Sequence, residues 1–204
     1  MALLAALLDA NVLYPAGLRD FLLRLADQSL YAPLWSADIH AEWIGSVLAD
    51  RPDLTEDVLE RTRAVMDRHF PDAVVTGYSA RAAGLDLPDP DDIHVLAAAI
   101  EGEADMIVTR NLRDFPADRL APLGLTAQPP DAFIVNLFDA DPEPVLAAVR
   151  GHRAALRNPP RTASEHLVAK DWAELAPAMR GKVMRFEVVD EDEWEQRLNA
   201  MLAA

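Results

Sequence analysis

The chain has 204 residues, of which 51% are apolar, 19 are basic and 34 are acidic, so its net charge is −15. An apolar half supplies a buried core, which excludes wholesale disorder. The absence of cysteine excludes disulfides, thiolate metal sites and cysteine nucleophiles, and the negative charge argues against nucleic-acid binding by charge alone.

The chain begins with an apolar run, residues 2–8, that no basic residue precedes. This run is far shorter than the about 20 residues that a membrane-spanning helix needs. It also lacks the basic start of a secretory signal. We therefore expect a cytoplasmic protein without a membrane anchor.

Hydrophobic patterning along residues 1–139 predicts strands that alternate with helices. The run that ends at Asp9 predicts a first strand buried on both faces, and Ser36 predicts the N-cap of a helix. Further strands are expected at 33–35, 73–78, 105–109 and 124–128, and helices at 20–30, 37–48, 53–70 and 92–101. This alternation predicts an α/β fold with a parallel sheet flanked by helices.

The composition changes after Asp139. Residues 141–185 hold eight basic and five acidic residues, and 142–156 predict a helix that carries Arg150, Arg153 and Arg157 on one face. We therefore predict two parts, an α/β domain over 1–139 and a small helical appendage over 140–204. The arginine stripe is a candidate contact for RNA phosphates or for an acidic partner, and a solvated helix face is the alternative.

Several acids fall where the predicted strands end. Asp9 ends the first strand, Asp92 opens the helix after the third, and Asn111 and Asp114 follow the fourth. In a doubly wound sheet, the carboxyl ends of the strands form the ligand crevice. Glu42, within the second predicted helix, could also face it. Oxygen ligands without a histidine or cysteine cluster favour Mg²⁺ or Mn²⁺ over zinc.

Four sequence blocks carry these acids in an order that resembles a known family. They read LLDANVLYP at 7–15, WSADIHAEW at 35–43, PDPDDIHVLAAAI at 88–100 and DMIVTRNLRDFP at 105–116. The blocks resemble PIN-domain ribonucleases, and within these the VapC-type toxins of type II toxin–antitoxin systems. The resemblance implies a parallel-sheet PIN-like domain and Mg²⁺- or Mn²⁺-dependent cleavage of RNA. It also implies a cognate antitoxin as partner, with a homodimer as a further candidate assembly.

The resemblance also assigns roles to residues. It implies a metal-binding and catalytic set of Asp9, Glu42, Asp92 and Asp114. Asn111 stands where many members have an aspartate, so one charge fewer is expected. Thr109 resembles the polar residue that orients a water, and Asn11 resembles a helper of Asp9. We interpret His94, two residues after Asp92, as a supporting residue rather than as a general base.

Two alternatives remain open at this point. The first is a catalytically silent binding module with the same fold, in which the acids are remnants. The second is a phosphatase of the haloacid-dehalogenase class, which expects a second aspartate at Asn11 and a lysine in a region where this chain has none. Stabilisation by Mg²⁺ or Mn²⁺ would separate a working metal site from a silent one.

Overall fold

The first apolar run forms the central strand of a parallel sheet. In the computed structural model, which describes residues 3–155 (for 153 and 154 the backbone only), β1 (Ala5–Leu8) lies between β2 (Ala32–Ser36) and β4 (Met106–Val108). Leu7 is paired with Leu34 on one side and with Ile107 on the other, and it is fully buried. This burial on both faces explains the unbroken apolar sequence.

The remaining strands extend the sheet at both edges. β3 (Val74–Val75) pairs with β2, and β5 (Thr126–Gln128) pairs with β4, which gives the parallel order β3-β2-β1-β4-β5 in the described residues. The chain builds outward from β1 to β3 and then crosses back to β4. The order therefore reverses between β1 and β4, and the carboxyl ends of these two strands form the expected crevice.

Helices flank this sheet. Their bounds are α1 (Ala10–Leu13), α2 (Ala16–Asp27), α3 (Ala37–Asp50), α4 (Glu56–His69), α5 (Ile93–Glu101), α6 (Ala117–Leu120), α7 (Pro130–Ala140) and α8 (Pro142–Ala155). Short 3₁₀ turns cover Pro71–Ala73, Tyr78–Arg81, Pro90–Asp92 and Ala121–Leu123. The prediction of a parallel α/β fold flanked by helices is confirmed. None of the helices within residues 3–155 combines the length and apolar character needed to span a membrane.

Local sequence signals account for two helices that position the candidate site. Ser36 caps α3, because its hydroxyl accepts a hydrogen bond from the backbone N–H of Ile39 at 3.2 Å. The middle of α5 is wholly apolar and buried, from Val95 to Ala99. Its small alanines allow the helix to pack closely on β1, β2 and β4.

Two predictions about local structure are wrong, and one short helix was not predicted. The third strand ends at Val75 instead of residue 78, because Gly77 turns the chain with a φ of +77°. Residues 10–13, for which no element is predicted, form the short helix α1. His69 ends the amphipathic helix predicted over 53–70, and its place beside Phe70 predicts a core position; it is instead exposed and pairs with Asp27 at 2.6 Å.

The chain divides into two compact units between Pro129 and Pro130. In the second unit, α7 and α8 pack against each other, and the sequence analysis had no helix at α7. The predicted domain boundary, 1–139 and 140–204, stays a prediction. Of the arginine stripe, Arg150 is half-buried, whereas the side chain of Arg153 and the whole of Arg157 lie outside the described residues.

Candidate active site

Asp9 lies at the carboxyl end of β1, where its backbone N–H donates to the carbonyl of Val108 at 3.1 Å. Its side chain is only 3% exposed. Oδ2 accepts hydrogen bonds from the Thr109 hydroxyl at 2.6 Å and from the Asn11 amide at 2.5 Å. Burial raises the pKa of Asp9 above its ordinary value, although the bond from Thr109 opposes the shift. The carboxylate is therefore fixed in orientation and costly to ionise.

Thr109 connects the ends of the two central strands. It is fully buried directly after β4, and its hydroxyl donates to Asp9 across the crevice. The same oxygen accepts from the Asn11 amide at 2.9 Å and from the backbone N–H of Asn111 at 3.0 Å. A hydroxyl that both donates and accepts is the one group able to satisfy all three neighbours. Thr109 and Asn11, to which the resemblance assigns supporting roles, are both hydrogen-bonded to Asp9.

A second group of carboxylates lies around the start of α5. Asp92, Asp114 and Asp89 each offer an oxygen, and these three atoms lie within 4.8 Å of one another. Asp114 is buried, and the side-chain amide of Asn111 donates to its Oδ2. Asp89 also accepts a hydrogen bond from the backbone N–H of Asp91 at 3.0 Å, which holds the turn into the helix.

The electrostatics of this group centre on Asp92. Burial and then the charges of Asp9, Asp114, Asp89 and Glu42 raise the pKa of Asp92 to about 6. Like charges held this close cannot all ionise without cost. Near neutral pH, a cation or a proton is needed to relieve the repulsion.

Glu42 projects from α3 and meets His94 of α5. The Nε2 atom of His94 lies 2.7 Å from Oε1 of Glu42, and the two side chains are 20% and 43% exposed. Burial lowers the pKa of His94, but the hydrogen bond and charge of Glu42 outweigh burial, so the net shift is upward. His94 is thus hydrogen-bonded to Glu42, and its supporting role stays a prediction.

One cleft, of about 490 Å³, connects these features. It is lined by Asp9, Ala10, Asn11, Tyr14, Glu42, Ser46, Asp92 and Arg110. Three of the predicted acids therefore face the same cleft. The fourth, Asp114, joins them through its cluster with Asp92.

Sequence reasoning missed three residues in this region. Asp89 has no predicted role, although the PDPDD run that contains it offers three candidate aspartates. Tyr14 and Arg110 lie within the quoted blocks, but neither side chain offers the carboxylate or amide oxygen by which metal ligands were predicted. Their contribution to the cleft depends on the bends after β1 and β4.

Comparison with known proteins identifies the family. The model of the PIN domain matches residues 5–113, which is more than half of the 204 residues. The chain belongs to the PIN-domain family. A second family model, described as the VapC50 C-terminal domain, matches residues 130–169 of this PIN-domain protein. The resemblance noted in the four blocks is confirmed.

A curated relative supports the same grouping. Over 94 residues, the PIN-domain protein is 37% identical to "Putative ribonuclease VapC50" of Mycobacterium tuberculosis (strain ATCC 25618 / H37Rv). The match covers 46% of this chain and 54% of the relative, so the chain spans about half the length of the curated relative it matches. No solved structure matches the chain.

The carboxylate groups of this PIN domain fit a divalent cation. The donors that lie within 4.8 Å of one another are all carboxylate oxygens, the ligand type of Mg²⁺ and Mn²⁺. Burial and the neighbouring carboxylates raise the pKa of Asp92, so a positive charge bound there would be stabilised. A bound cation would relieve the same repulsion that protonation relieves.

Proposed function

We propose that the protein is an endoribonuclease that hydrolyses RNA phosphodiester bonds with Mg²⁺ or Mn²⁺. The observation that carries the proposal is the position of Asp92. It shares a three-carboxylate cluster with Asp89 and Asp114 and a cleft with Asp9 and Glu42. Membership of the PIN-domain family and similarity to a relative named a ribonuclease support it.

In this proposal the metal ligands come from the carboxylate cluster at the start of α5 and from the acids of β1 and α3. Asp92 and Asp114 hold the ion together with Asp9 and Glu42, and Asp89 is an additional ligand candidate. When bound, a divalent ion supplies Lewis-acid activation of a water and stabilises the charge that develops on the phosphate oxygens. Asn111 contributes no charge, but its hydrogen bond to Asp114 orients that carboxylate.

The residues around the acids have distinct tasks. Thr109 and Asn11 hold Oδ2 of Asp9 in one orientation, so this carboxylate needs no rearrangement to receive a ligand. His94 holds Glu42 toward the crevice from the other side. Asp92, whose pKa is about 6, would hold a proton for part of the time near neutral pH and would give it up to accept a cation.

We further propose that this nuclease is the toxin of a toxin–antitoxin pair and acts in the cytoplasm. The match of residues 130–169 to the VapC50 C-terminal domain and the similarity to VapC50 support this assignment. The expected partners are an RNA substrate and a small cognate antitoxin, and a homodimer remains a prediction. Expression without the antitoxin should arrest growth, whereas the Asp92→Asn variant should not. Equal toxicity of both proteins would contradict the assignment.

A metal-dependent thermal shift tests the proposed site at low cost. The melting temperature in EDTA should rise when Mg²⁺ or Mn²⁺ is added in excess, because the ion binds the folded state only. Asp92→Asn should lose most of this rise. Asp91→Asn removes a neighbouring exposed charge outside the cluster and serves as the matched control. A melting temperature that neither Mg²⁺ nor Mn²⁺ changes would favour the silent binding module.

The phosphatase alternative has no support in the structure. Where that class needs a second aspartate, Asn11 instead donates its amide to Asp9. The chain also belongs to the PIN-domain family. The silent module is disfavoured by the retention of a buried, hydrogen-bonded Asp9 beside other clustered acids.

A further inference from the structure

We propose that Arg110 and Tyr14 form a nucleotide-binding subsite in the acidic cleft. Arg110 binds a phosphate of single-stranded RNA, and the ring of Tyr14 stacks on a base. The inference deepens the proposed function and rests on it. It assigns substrate contacts to two residues that the acid pattern does not include.

The negative charge of the cleft means that RNA binding needs a positively charged side chain beside the acids. Three aspartate or glutamate side chains, Asp9, Glu42 and Asp92, line it, and they repel the backbone of RNA. Among the lining residues Arg110 is the one with a positive charge. A metal ion neutralises the acids at the reaction centre, but the flanking phosphates need their own partner.

The guanidinium of Arg110 is available for such a partner. It makes no hydrogen bond or ion pair with any residue in 3–155, and the residue is exposed. Other arginines of the same unit are engaged, for example Arg81 with Glu101 at 2.6 Å and Arg119 with Asp86 at 2.8 Å. The Arg110 guanidinium lines the same cleft as the carboxylates but is paired with none of them. It is therefore free to bind a phosphate through two parallel hydrogen bonds.

The backbone that carries Arg110 is held rigidly at the reaction centre. The N–H of Arg110 donates to Oδ1 of Asn11 at 2.9 Å. Its neighbours along the chain, Thr109 and Asn111, bond to Asp9 and Asp114 respectively. Because the main chain is fixed, phosphate binding requires no ordering of the backbone that carries Arg110.

Tyr14 presents an aromatic surface in the same cleft. It follows α1, and its hydroxyl donates to Oδ2 of Asp50 at 2.7 Å, which holds the far end of the ring. A preoriented aromatic ring stacks on any base and therefore gives affinity without sequence preference. Together, the ring and the guanidinium provide the base and phosphate contacts that single-stranded nucleic acid requires.

Two substitutions separate these roles by their response to salt. The probe is a fluorescein-labelled single-stranded RNA of mixed sequence, bound by the full chain in the Asp92→Asn background to limit cleavage. Arg110→Ala should weaken binding and lower the slope of log K against log salt by about 0.7, the value for one lost phosphate contact on a single strand. Tyr14→Leu should weaken binding about 5- to 140-fold without changing the slope, because stacking carries no charge.

Matched variants control for charge and for the hydroxyl. Arg61→Ala removes an exposed arginine of α4 that does not line the cleft, and it should leave the slope unchanged. Tyr14→Phe keeps the ring and should retain most of the affinity. An unchanged slope for Arg110→Ala, or equal losses for Arg110→Ala and Arg61→Ala, would overturn the phosphate contact. Full affinity of Tyr14→Leu would overturn the stacking contact.

Failure of this subsite is distinguishable from failure of the proposed function. A chain with metal-dependent cleavage, whose RNA binding is unaffected by both substitutions, keeps the function and loses the subsite. A chain that binds no RNA at any salt concentration and cleaves none loses both.

Discussion

The Nε2 atom of His94 lies 2.7 Å from Oε1 of Glu42, which joins α5 to α3 across the candidate site. Glu42 is 43% exposed and long, so an unsupported carboxylate would sample many orientations. His94 is its hydrogen-bond partner among the described residues, and it comes two residues after Asp92. We infer that His94 is a positioning residue that holds Glu42 toward a bound cation.

Replacement of His94 should reduce metal affinity through Glu42. Loss of a hydrogen-bonding partner behind a metal ligand typically costs about 10- to 100-fold in affinity. We expect a loss of this order for His94→Ala in Mn²⁺ titrations, and partial rescue in His94→Gln, which keeps an N–H donor. In a Glu42→Gln background, His94→Ala should have little further effect, because the partner is already altered. Equal losses in both backgrounds would show that His94 acts independently of Glu42.

The stability of the metal-free protein should depend on Asp92 and pH. Folding raises the pKa of Asp92 from 3.8 to about 6, so the folded state retains a proton that the unfolded chain releases. The stabilisation from this proton is present below pH 3.8 and is lost as pH rises through about 6. In EDTA, the melting temperature of Asp92→Asn should therefore rise relative to that of the natural protein as pH increases from 4 to 7.

Asp91→Asn is the control for this measurement, because it removes an exposed carboxylate from the same turn. The difference in melting temperature between Asp91→Asn and the natural protein should change less over the same pH range. If the melting-temperature differences of Asp92→Asn and Asp91→Asn grew equally with pH, the effect would come from general charge repulsion. The local carboxylate cluster would then not be its cause. Excess Mg²⁺ should remove the advantage of Asp92→Asn, since the ion relieves the same repulsion.

Asp89 provides a test of the cluster that the sequence analysis missed. Its carboxylate lies with those of Asp92 and Asp114, whereas Asp91 is exposed and outside the group. Asp89→Asn keeps an oxygen to accept from the Asp91 N–H, so the turn should survive. We expect weaker Mn²⁺ binding by Asp89→Asn than by Asp91→Asn in calorimetric titrations of folded protein. Equal affinities would remove Asp89 from the site.

The arrangement of strands was predictable because burial on both faces leaves a strong pattern. The apolar run before Asp9 and the capping residue Ser36 are local sequence signals, and the structure has β1 and α3 where these signals predict them. The limits of β3 were not predictable from its apolar residues alone. They depend on Gly77, which lies two residues after the last strand residue, Val75, and turns the chain with a positive φ.

The acids that line the cleft were predictable from the strand ends and from the family resemblance, but their side-chain partners were not. Parallel topology places Asp9 and the residues after β4 at one edge, whatever the side-chain detail. The choice of partners depends on turn geometry, which brings Asp89 beside Asp114 and Arg110 into the cleft. His69 shows the same limit, since an apolar helix face suggested burial but an exposed pair with Asp27 formed instead.

Metal-dependent cleavage is the most direct test of the account. Single-stranded RNA should be incubated with the full chain in EDTA and then with increasing Mn²⁺ or Mg²⁺, and the products separated by length. Asp92→Asn, purified and shown to be folded, is the matched protein, and Asp91→Asn controls for loss of a nearby charge. The account predicts internal cleavage by the natural protein and by Asp91→Asn only when metal is present, and little or none by Asp92→Asn. Cleavage in EDTA, or full activity of folded Asp92→Asn, would contradict it.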